Sequence, residues 1–153
     1  MEALAKVLGE HPFLQEIDKA RLDPLVACAS KATFPAGSFV FREGAPATAL
    51  YLLQQGRVML EISVPARGTA RVETLDGGDI LGLSWLFPPY RWQADARVVE
   101  AATAIAFEAS CLRERLDQDP VLGYAVMKSL AHQLYLRLER VRLQRLDVYK
   151  AEP

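Results

Sequence analysis

The chain has 153 residues, of which 51% are hydrophobic and 24% charged, and its formal net charge is −1. This length fits a single compact domain over residues 1–153, and the composition is that of an ordinary globular protein. A near-neutral chain has no overall attraction to nucleic acid or acidic lipid. The first residues, MEALAKVLGE, do not form a basic-then-apolar leader, and no apolar run approaches the about 20 residues that span a bilayer. We therefore expect a cytoplasmic protein with no membrane partner.

Residues 1–31 predict N-terminal helices. Apolar side chains recur at helical spacing from Leu4 to Leu8, and His11-Pro12 interrupts the pattern. Apolar residues between positions 14 and 28 then resume it, which predicts a second helix or a pair of short helices.

Residues 32–109 predict an all-β centre, because short β-branched and aromatic runs are separated by glycine and proline. The segment VMLEISV, residues 58–64, alternates in a way that predicts a strand with one buried face. PARG, residues 65–68, predicts a hairpin turn, and TARVETL predicts the returning strand. No helical segment separates these strands, which favours a sandwich, jelly roll or barrel over a parallel doubly wound sheet.

Residues 110–153 predict C-terminal helices. Ser110 is the predicted N-cap of a helix that buries Leu112 and Leu116. Asp119-Pro120 predicts the start of a last helix that continues to about Lys150. The predicted fold is therefore mainly β with flanking helices.

Patterns that would indicate catalysis or metal binding are missing from the sequence. His11 and His132 have no metal-ligand spacing and are predicted to be ordinary helix or surface residues. Cys28 and Cys111 match no metal-binding or disulfide framework, which favours a reducing compartment. The sequence contains no G-x-S-x-G, P-loop or G-x-G-x-x-G pattern. We expect a protein that is not an enzyme and binds no metal.

Two glycine-containing segments indicate a family. FPAGSFVFREGAPATALYLLQQGRV, with Pro35 and Gly37 at its start, resembles the first signature of the cyclic-nucleotide-binding domains of the Crp/Fnr regulators. GGDILG then resembles the G-D-x-x-G segment that leads into their phosphate-binding cassette, here residues 78–98. The resemblance covers essentially the whole chain and implies an antiparallel β-roll, or jelly roll, followed by a long C-terminal helix. Gly44, Gly56 and Gly78 would occupy strand ends that need positive φ.

The same resemblance implies a ligand, cAMP or cGMP, with another nucleotide as an alternative. In the family a short helix presents backbone amides to the cyclic phosphate, an arginine pairs with that phosphate, and a glutamate accepts from the ribose 2′-hydroxyl. The positions that would line the pocket are Gly82, Leu83, Ser84, Trp85, Leu86, Arg91, Trp92, Gln93 and Ala94.

Two of these positions depart from the family pattern. Leu83 replaces the glutamate and cannot accept a hydrogen bond, while Trp92 replaces the arginine with one neutral donor. If residues 91–98 are extended, Arg91 points away from the face that Trp92 occupies, although a shift of the Pro88-Pro89 turn would reverse this. We expect that cAMP is not bound in the usual way.

The aromatic side chains of the cassette allow three interpretations. Trp85, Phe87, Tyr90 and Trp92 could fill the former pocket as core, stack on a different planar ligand, or contact a protein.

The last helix carries an apolar seam at coiled-coil spacing, which predicts a homodimer, as the Crp/Fnr resemblance also implies. The predicted interface residues are Met127, Ala131, Leu134, Leu138, Val141 and Val148. Leu136, Leu143 and Leu146 form a second stripe, which either packs on the protein itself or meets a partner.

Two hypotheses for function follow. The first is a stand-alone, non-enzymatic regulatory module that senses a ligand through a diverged cassette. The second is a protein-interaction subunit with a filled pocket, for example an accessory subunit of a bacterial redox complex. Residues 128–150 carry six basic and two acidic side chains, but direct DNA binding ranks below both. The sequence ends at Pro153, before the helix-turn-helix domain of Crp/Fnr regulators, so only the sensor half is expected.

Overall fold

The computed structural model describes the backbone of residues 2–150 and the side chains of residues 4–144. The helices are α1 (Glu2–Glu10), α2 (Lys19–Val26), α3 (Ala109–Gln118) and α4 (Pro120–Lys150). The strands are β1 (Ala29–Phe34), β2 (Phe39–Phe41), β3 (Ala49–Val64), β4 (Gly68–Asp76), β5 (Ile80–Leu81) and β6 (Asp95–Glu108).

The strands form one antiparallel sheet that is built around the two longest members. β3 pairs with β6, and the order β1-β6-β3-β4 is extended by β2 on β6 and β5 on β3. The prediction of an antiparallel β-roll between N-terminal and C-terminal helices is confirmed. β1 already begins at Ala29, and α3 at Ala109, so the β-roll starts three residues before the predicted position 32.

Local turn signals account for the ends of the strands. The predicted hairpin joins β3 to β4, with Val64 opposite Gly68. Gly44, Gly56 and Gly78 all have positive φ, as predicted. At Gly56 a Cβ atom would lie 2.4 Å from the carbonyl oxygen of Ala101 on β6, so this bend tolerates no side chain.

The predicted one-sided burial of residues 58–64 is wrong for two positions. Met59 and Glu61 are buried together with Val58 and Leu60, while Ile62 and Val64 are half-buried. The cause is Arg97 on β6, whose Nε–H donates to Glu61 at 2.6 Å and whose guanidinium also lies 3.8 Å from the Met59 sulfur. An ion pair therefore covers the face of β3 that the alternation assigned to solvent.

The helices pack against one another at one end of the roll. Leu22 and Leu25 of α2, Leu112 and Leu116 of α3, and Leu122 of α4 are buried in one cluster with the apolar roll interior. The N-cap of α3 is Glu108 and the predicted cap Ser110 is wrong: its hydroxyl instead donates to the Glu108 carboxylate.

The start of α4 agrees with its sequence signal. The helix begins at Pro120, and the Asp119 carboxylate accepts from the backbone N–H of Leu122 at 3.1 Å. Further along α4, the Ser129 hydroxyl donates to the carbonyl of Phe13, which ties this helix to the N-terminal segment.

The prediction that the two cysteines match no disulfide framework is wrong. Cys28 and Cys111 form a disulfide, with their Cα atoms 5.7 Å apart. The antiparallel pairing of β1 with β6 places Ala29 opposite Phe107, and the Glu108 N–H donates to the Cys28 carbonyl. The sheet therefore brings together two residues that are 83 positions apart in the sequence.

His11 is also not the ordinary helix or surface residue that the sequence predicted. It is buried directly after the end of α1. Its Nε2 atom lies 3.1 Å from the carbonyl oxygen of Leu53, and its Nδ1 atom accepts from the backbone N–H of Phe13. These contacts fit the neutral ring protonated on Nε2. Burial lowers the pKa of His11, against weaker opposing effects of the Leu53 carbonyl and of Asp79.

Candidate functional site

The cassette, residues 78–98, contains β5, the loop that follows it and the first residues of β6. Its first residue after β5, Gly82, has a φ of 73°, and a Cβ atom there would lie 2.7 Å from the indole ring of Trp92. A side chain at position 82 would therefore be both conformationally strained and in collision with Trp92. The glycine that the family resemblance places at the entrance to the cassette is here needed for the close approach of a tryptophan.

Trp92 lies inside the roll. Its side chain is only 4% exposed, and its ring stacks on Phe41 of β2 with the centroids 3.7 Å apart and the planes 7° from parallel. Tyr51 of β3 lies 6.4 Å from both rings, and Phe34 of β1 packs edge-on against Tyr51. Burial raises the pKa of the Tyr51 phenol, which keeps it neutral. Trp92 and Phe41 thus fill this part of the interior, and the partly buried Tyr51 and Phe34 pack beside them.

Sequence reasoning did not find three members of this cluster. Phe34, Phe41 and Tyr51 stand in the first glycine-rich signature, far from the cassette in sequence. The signal that could have found them is their position on strands that the family fold turns toward the pocket.

Arg91 lies on the opposite side of the chain from Trp92. It is exposed, and its guanidinium donates to the carbonyl of Gly44 at 2.9 Å. The backbone of Trp92 fixes this arrangement, because its N–H donates to Ala45 and its carbonyl accepts from Gly44. The structure therefore has the orientation that an extended segment predicts, with the cation outside and the indole inside.

The remaining cassette residues divide between core and surface. Trp85 is fully buried, and its indole N–H is the one buried side-chain polar atom without a hydrogen-bond partner among the side chains that the structure describes. Leu83 and Leu86 are partly buried and pack against the core, and Ser84 is half-buried. Gln93 is exposed and donates to the carbonyl of Arg91, while Ala94 is half-buried.

The four aromatic residues of the cassette do not act as one group. Trp85 and Trp92 are buried, but Phe87 is 60% exposed. Tyr90 is half-buried beneath the guanidinium of Arg113, which lies 4.3 Å from its ring centroid and also donates to the carbonyl of Trp85. The core interpretation therefore fits the two tryptophans and fails for Phe87.

The cleft bordered by the cassette lies on the outer surface of the roll. Ser84, Phe87 and Arg91 border a shallow depression of about 270 Å³ there. Two arginines in or near the cassette are paired with carboxylates: Arg42 with Asp95, and Arg97 with Glu61.

One face of α4 is fixed to the roll. Arg137 makes a two-pronged ion pair with Glu73 of β4, with Nε 3.0 Å from the carboxylate, and it also donates to the carbonyl of Ile80. Arg140 lies 3.3 Å from Asp79 and 3.8 Å from Glu73. Leu122, Val126 and Leu130 continue this inward face as buried residues.

The predicted dimer seam lies beside this face of α4, and Val141 at its end lines a cleft between α4 and β4 together with Arg140. Leu134, Leu138 and Val141 are 41–48% exposed, Ala131 is exposed and Met127 is half-buried. In the second stripe, Leu136 and Leu143 are also exposed. Val148 and Leu146 lie outside the described side chains.

The part of the chain covered by the structure holds no group of three or more His, Cys, Asp or Glu residues placed to bind a metal ion. Over the same residues, no helix combines the length and the apolar character that crossing a bilayer requires.

A β-roll with a glycine-led cassette and a long final helix is the architecture of cyclic nucleotide-binding domains. The sequence profile of the cyclic nucleotide-binding domain matches residues 31–119, more than half of the chain. The protein belongs to the cyclic nucleotide-binding domain family.

Similar solved structures support the fold assignment. A protein of Geobacter metallireducens GS-15 that is classed with the cyclic nucleotide-binding proteins is 27% identical, with a TM-score of 0.78, over 88% of this chain and 97% of that chain. The sensor domain of the transcriptional regulator DNR from Pseudomonas aeruginosa is 21% identical, with a TM-score of 0.71, over 90% and 93% of the two chains.

A curated relative is the CRP-like cAMP-activated global transcriptional regulator of Mycobacterium tuberculosis. It is 22% identical over 129 residues, which make up 84% of this chain and 58% of the regulator. An NTE family protein of the same organism is 25% identical over 123 residues, 80% of this chain and 20% of that protein. The chain thus spans between about a fifth and three fifths of the length of these relatives.

Proposed function

We propose that this domain is a non-enzymatic regulatory module whose cyclic-nucleotide pocket is filled by its own Trp92, so that it does not hold cAMP or cGMP in the usual way. The observation behind the proposal is that the Trp92 ring stacks on Phe41 and lies directly against Gly82. A cyclic nucleotide entering this part of the roll has to displace a buried indole.

The polar contacts of the usual binding mode are also missing. Leu83 offers the ribose no acceptor, and Arg91, the nearest cation in the sequence, is turned outward and bonded to Gly44. Each hydrogen bond to a charged group contributes about 1.5–3 kcal/mol, so the loss of two such contacts costs several kcal/mol. This loss adds to the cost of displacing Trp92.

The proposed module acts as a homodimer through the outer face of α4. Leu134, Leu138 and Val141 are exposed along one stripe, while Arg137 and Arg140 hold a separate face of the same helix on the roll. An apolar stripe on a helix that is already docked by another face favours pairing with a second helix.

A second candidate function is a protein-interaction subunit of a larger assembly, such as a redox complex. The observation that favours it is the exposed Phe87, followed by exposed Pro88 and Pro89, on a cassette that is held in place by the buried Trp85 and Trp92. A fixed apolar projection of this kind is typical of interaction surfaces. Direct DNA binding is disfavoured, because Arg137 and Arg140 are engaged by carboxylates of the roll.

Thermal unfolding with cAMP, cGMP and NADPH tests the filled pocket. A ligand at about 100 times its dissociation constant stabilises the folded state by about 2.7 kcal/mol, a shift of about 5–10 °C for a domain of this size. We expect no shift with cAMP or cGMP. A shift with either one would overturn the proposal, and a shift with NADPH alone would point to a different nucleotide site.

The double variant Leu83→Glu with Trp92→Arg is the matched positive control. It restores the acceptor and the cation at their family positions, and we expect it to gain a cAMP-dependent shift. If the folded double variant stays silent, then positions 83 and 92 are not the ribose and phosphate positions.

Sedimentation analysis tests the dimer. Leu138→Glu places a charge in the proposed seam and should yield monomers, whereas Leu143→Glu, on the other exposed stripe of α4, should leave the dimer intact. A monomeric parent protein, or equal behaviour of the two variants, would contradict this interface.

A further inference from the structure

The disulfide joins the residue before β1 to the first turn of α3, beside the point where β1 pairs with β6. Cys28 lies between α2 and β1, and Cys111 is the third residue of α3. α3 is separated from α4 only by Asp119. The bond therefore ties the N-terminal helical pair, α1 and α2, to the helices that follow the roll.

The two sulfur-bearing residues differ in accessibility. Cys28 is only 7% exposed, whereas Cys111 is half-buried and borders a surface cleft of about 260 Å³ together with Glu108, Glu114 and Arg115. A thiol in solution can therefore approach the bond from the Cys111 side.

We propose that Cys28–Cys111 is a reversible redox latch, which a dithiol reductant opens at Cys111 to loosen α1 and α2 from α3. A thiolate of the reductant attacks the Cys111 sulfur, and the Cys28 sulfur leaves as a thiolate and takes up a proton. The second thiol of the reductant then displaces Cys111 from the mixed disulfide. Two electrons and two protons pass to the protein, and the reductant leaves as its own disulfide.

The position of Cys111 favours this second step. It lies in the first turn of α3, where the partial positive charge of the helix N-terminus stabilises a departing thiolate, against the opposing charges of Glu108 and Glu114 in the same cleft. A cysteine in the interior of the sheet would have no such support.

The effect of opening the latch is confined by the remaining contacts. β1 stays paired with β6 over six residues, from Ala29 to Phe34, so the roll keeps its hydrogen bonds. Between α2 and the α3–α4 junction, the ion pair of Arg21 with Asp119 is 3.8 Å long and exposed on both sides, and it contributes little on its own. After reduction, α2 is held to α3 by its apolar contacts and no longer by a covalent bond.

Hydrogen exchange on the full-length protein tests the latch. Alkylation and mass spectrometry should find the disulfide in the untreated protein and two free thiols after dithiothreitol under native conditions. In the reduced protein, amides of α1 and α2 should exchange at least about tenfold faster, while those of β3 and β6 keep their protection. Removal of the reductant and reoxidation should restore slow exchange.

The double variant Cys28→Ser with Cys111→Ser is the matched control. Its α1 and α2 amides should exchange at the fast rate with and without dithiothreitol. The proposal is overturned if the bond is absent or is reduced only in denaturant, if exchange is the same in both redox states, or if reduction unfolds the roll together with the helices.

Discussion

Replacing Trp92 by alanine measures how much the filled pocket contributes to the fold. The indole is 4% exposed and lies 3.7 Å, centroid to centroid, from the ring of Phe41. Removing a buried tryptophan costs about 3–5 kcal/mol, and an aromatic pair contributes about 0.5–1.5 kcal/mol beyond the area that it buries. We expect Trp92→Ala to lower the free energy of unfolding by about 4 kcal/mol, within the range for buried tryptophans.

Urea unfolding followed by circular dichroism is the suitable assay, because the substitution removes a fluorophore. With a typical slope of about 2 kcal/mol per molar urea, the midpoint should fall by about 2 M. Trp92→Phe, which keeps a stacking partner for Phe41, should lose less. Phe87→Ala is the control in the same cassette: this side chain is 60% exposed, and its loss should cost less than about 1 kcal/mol.

The order of the three variants decides the result. If Trp92→Ala and Phe87→Ala lose similar amounts of stability, the indole is not the packed core element that the geometry indicates, and the argument for a filled pocket fails.

Three further predictions concern the rest of the molecule. Cys28→Ser should lower the unfolding free energy of the non-reduced protein by up to about 4.5 kcal/mol, which is the chain-entropy value for residues 83 positions apart. Dithiothreitol should lower the unfolding free energy of the parent protein by the same amount. A loss below about 1 kcal/mol would contradict the cross-link. Because burial lowers the pKa of His11, the unfolded chain binds more protons than the folded one below pH ~6.5, so stability should fall as pH drops below that value. A His11→Gln variant should show a flatter pH dependence of the urea midpoint, and an unchanged slope would assign the effect to other groups. Arg137→Met should lower the unfolding free energy by about 2 kcal/mol, because it breaks the half-buried pair with Glu73. Arg142→Met, whose pair on α4 is exposed, should change it by less than about 0.5 kcal/mol. Equal losses of the two variants in thermal unfolding would contradict this ranking.

The features that the sequence predicts correctly are those with local causes. The hairpin at residues 65–68 and the start of α4 at Asp119-Pro120 depend on a few adjacent residues. The opposite orientation of Arg91 and Trp92 follows from the alternation of an extended chain. Each of these can be predicted without knowing what lies across the sheet.

The features that the sequence misses depend on contacts between distant segments. The Cys28–Cys111 bond follows from the register of β1 against β6, and the burial of His11 depends on a carbonyl of β3. The Phe41 partner of Trp92 likewise comes from another strand. The spacing of residues along the sequence does not indicate these contacts, because the topology of the sheet determines them.

The arginine contacts of α4 also determine how the helix is oriented on the roll. Two guanidinium groups one helical turn apart, on Arg137 and Arg140, bond to Glu73 and Asp79, so this part of the helix cannot pivot about a single point. A protein that is attached along the outer side of α4 is therefore oriented by the sheet itself. In the proposed homodimer, these contacts would set the angle between the two β-rolls.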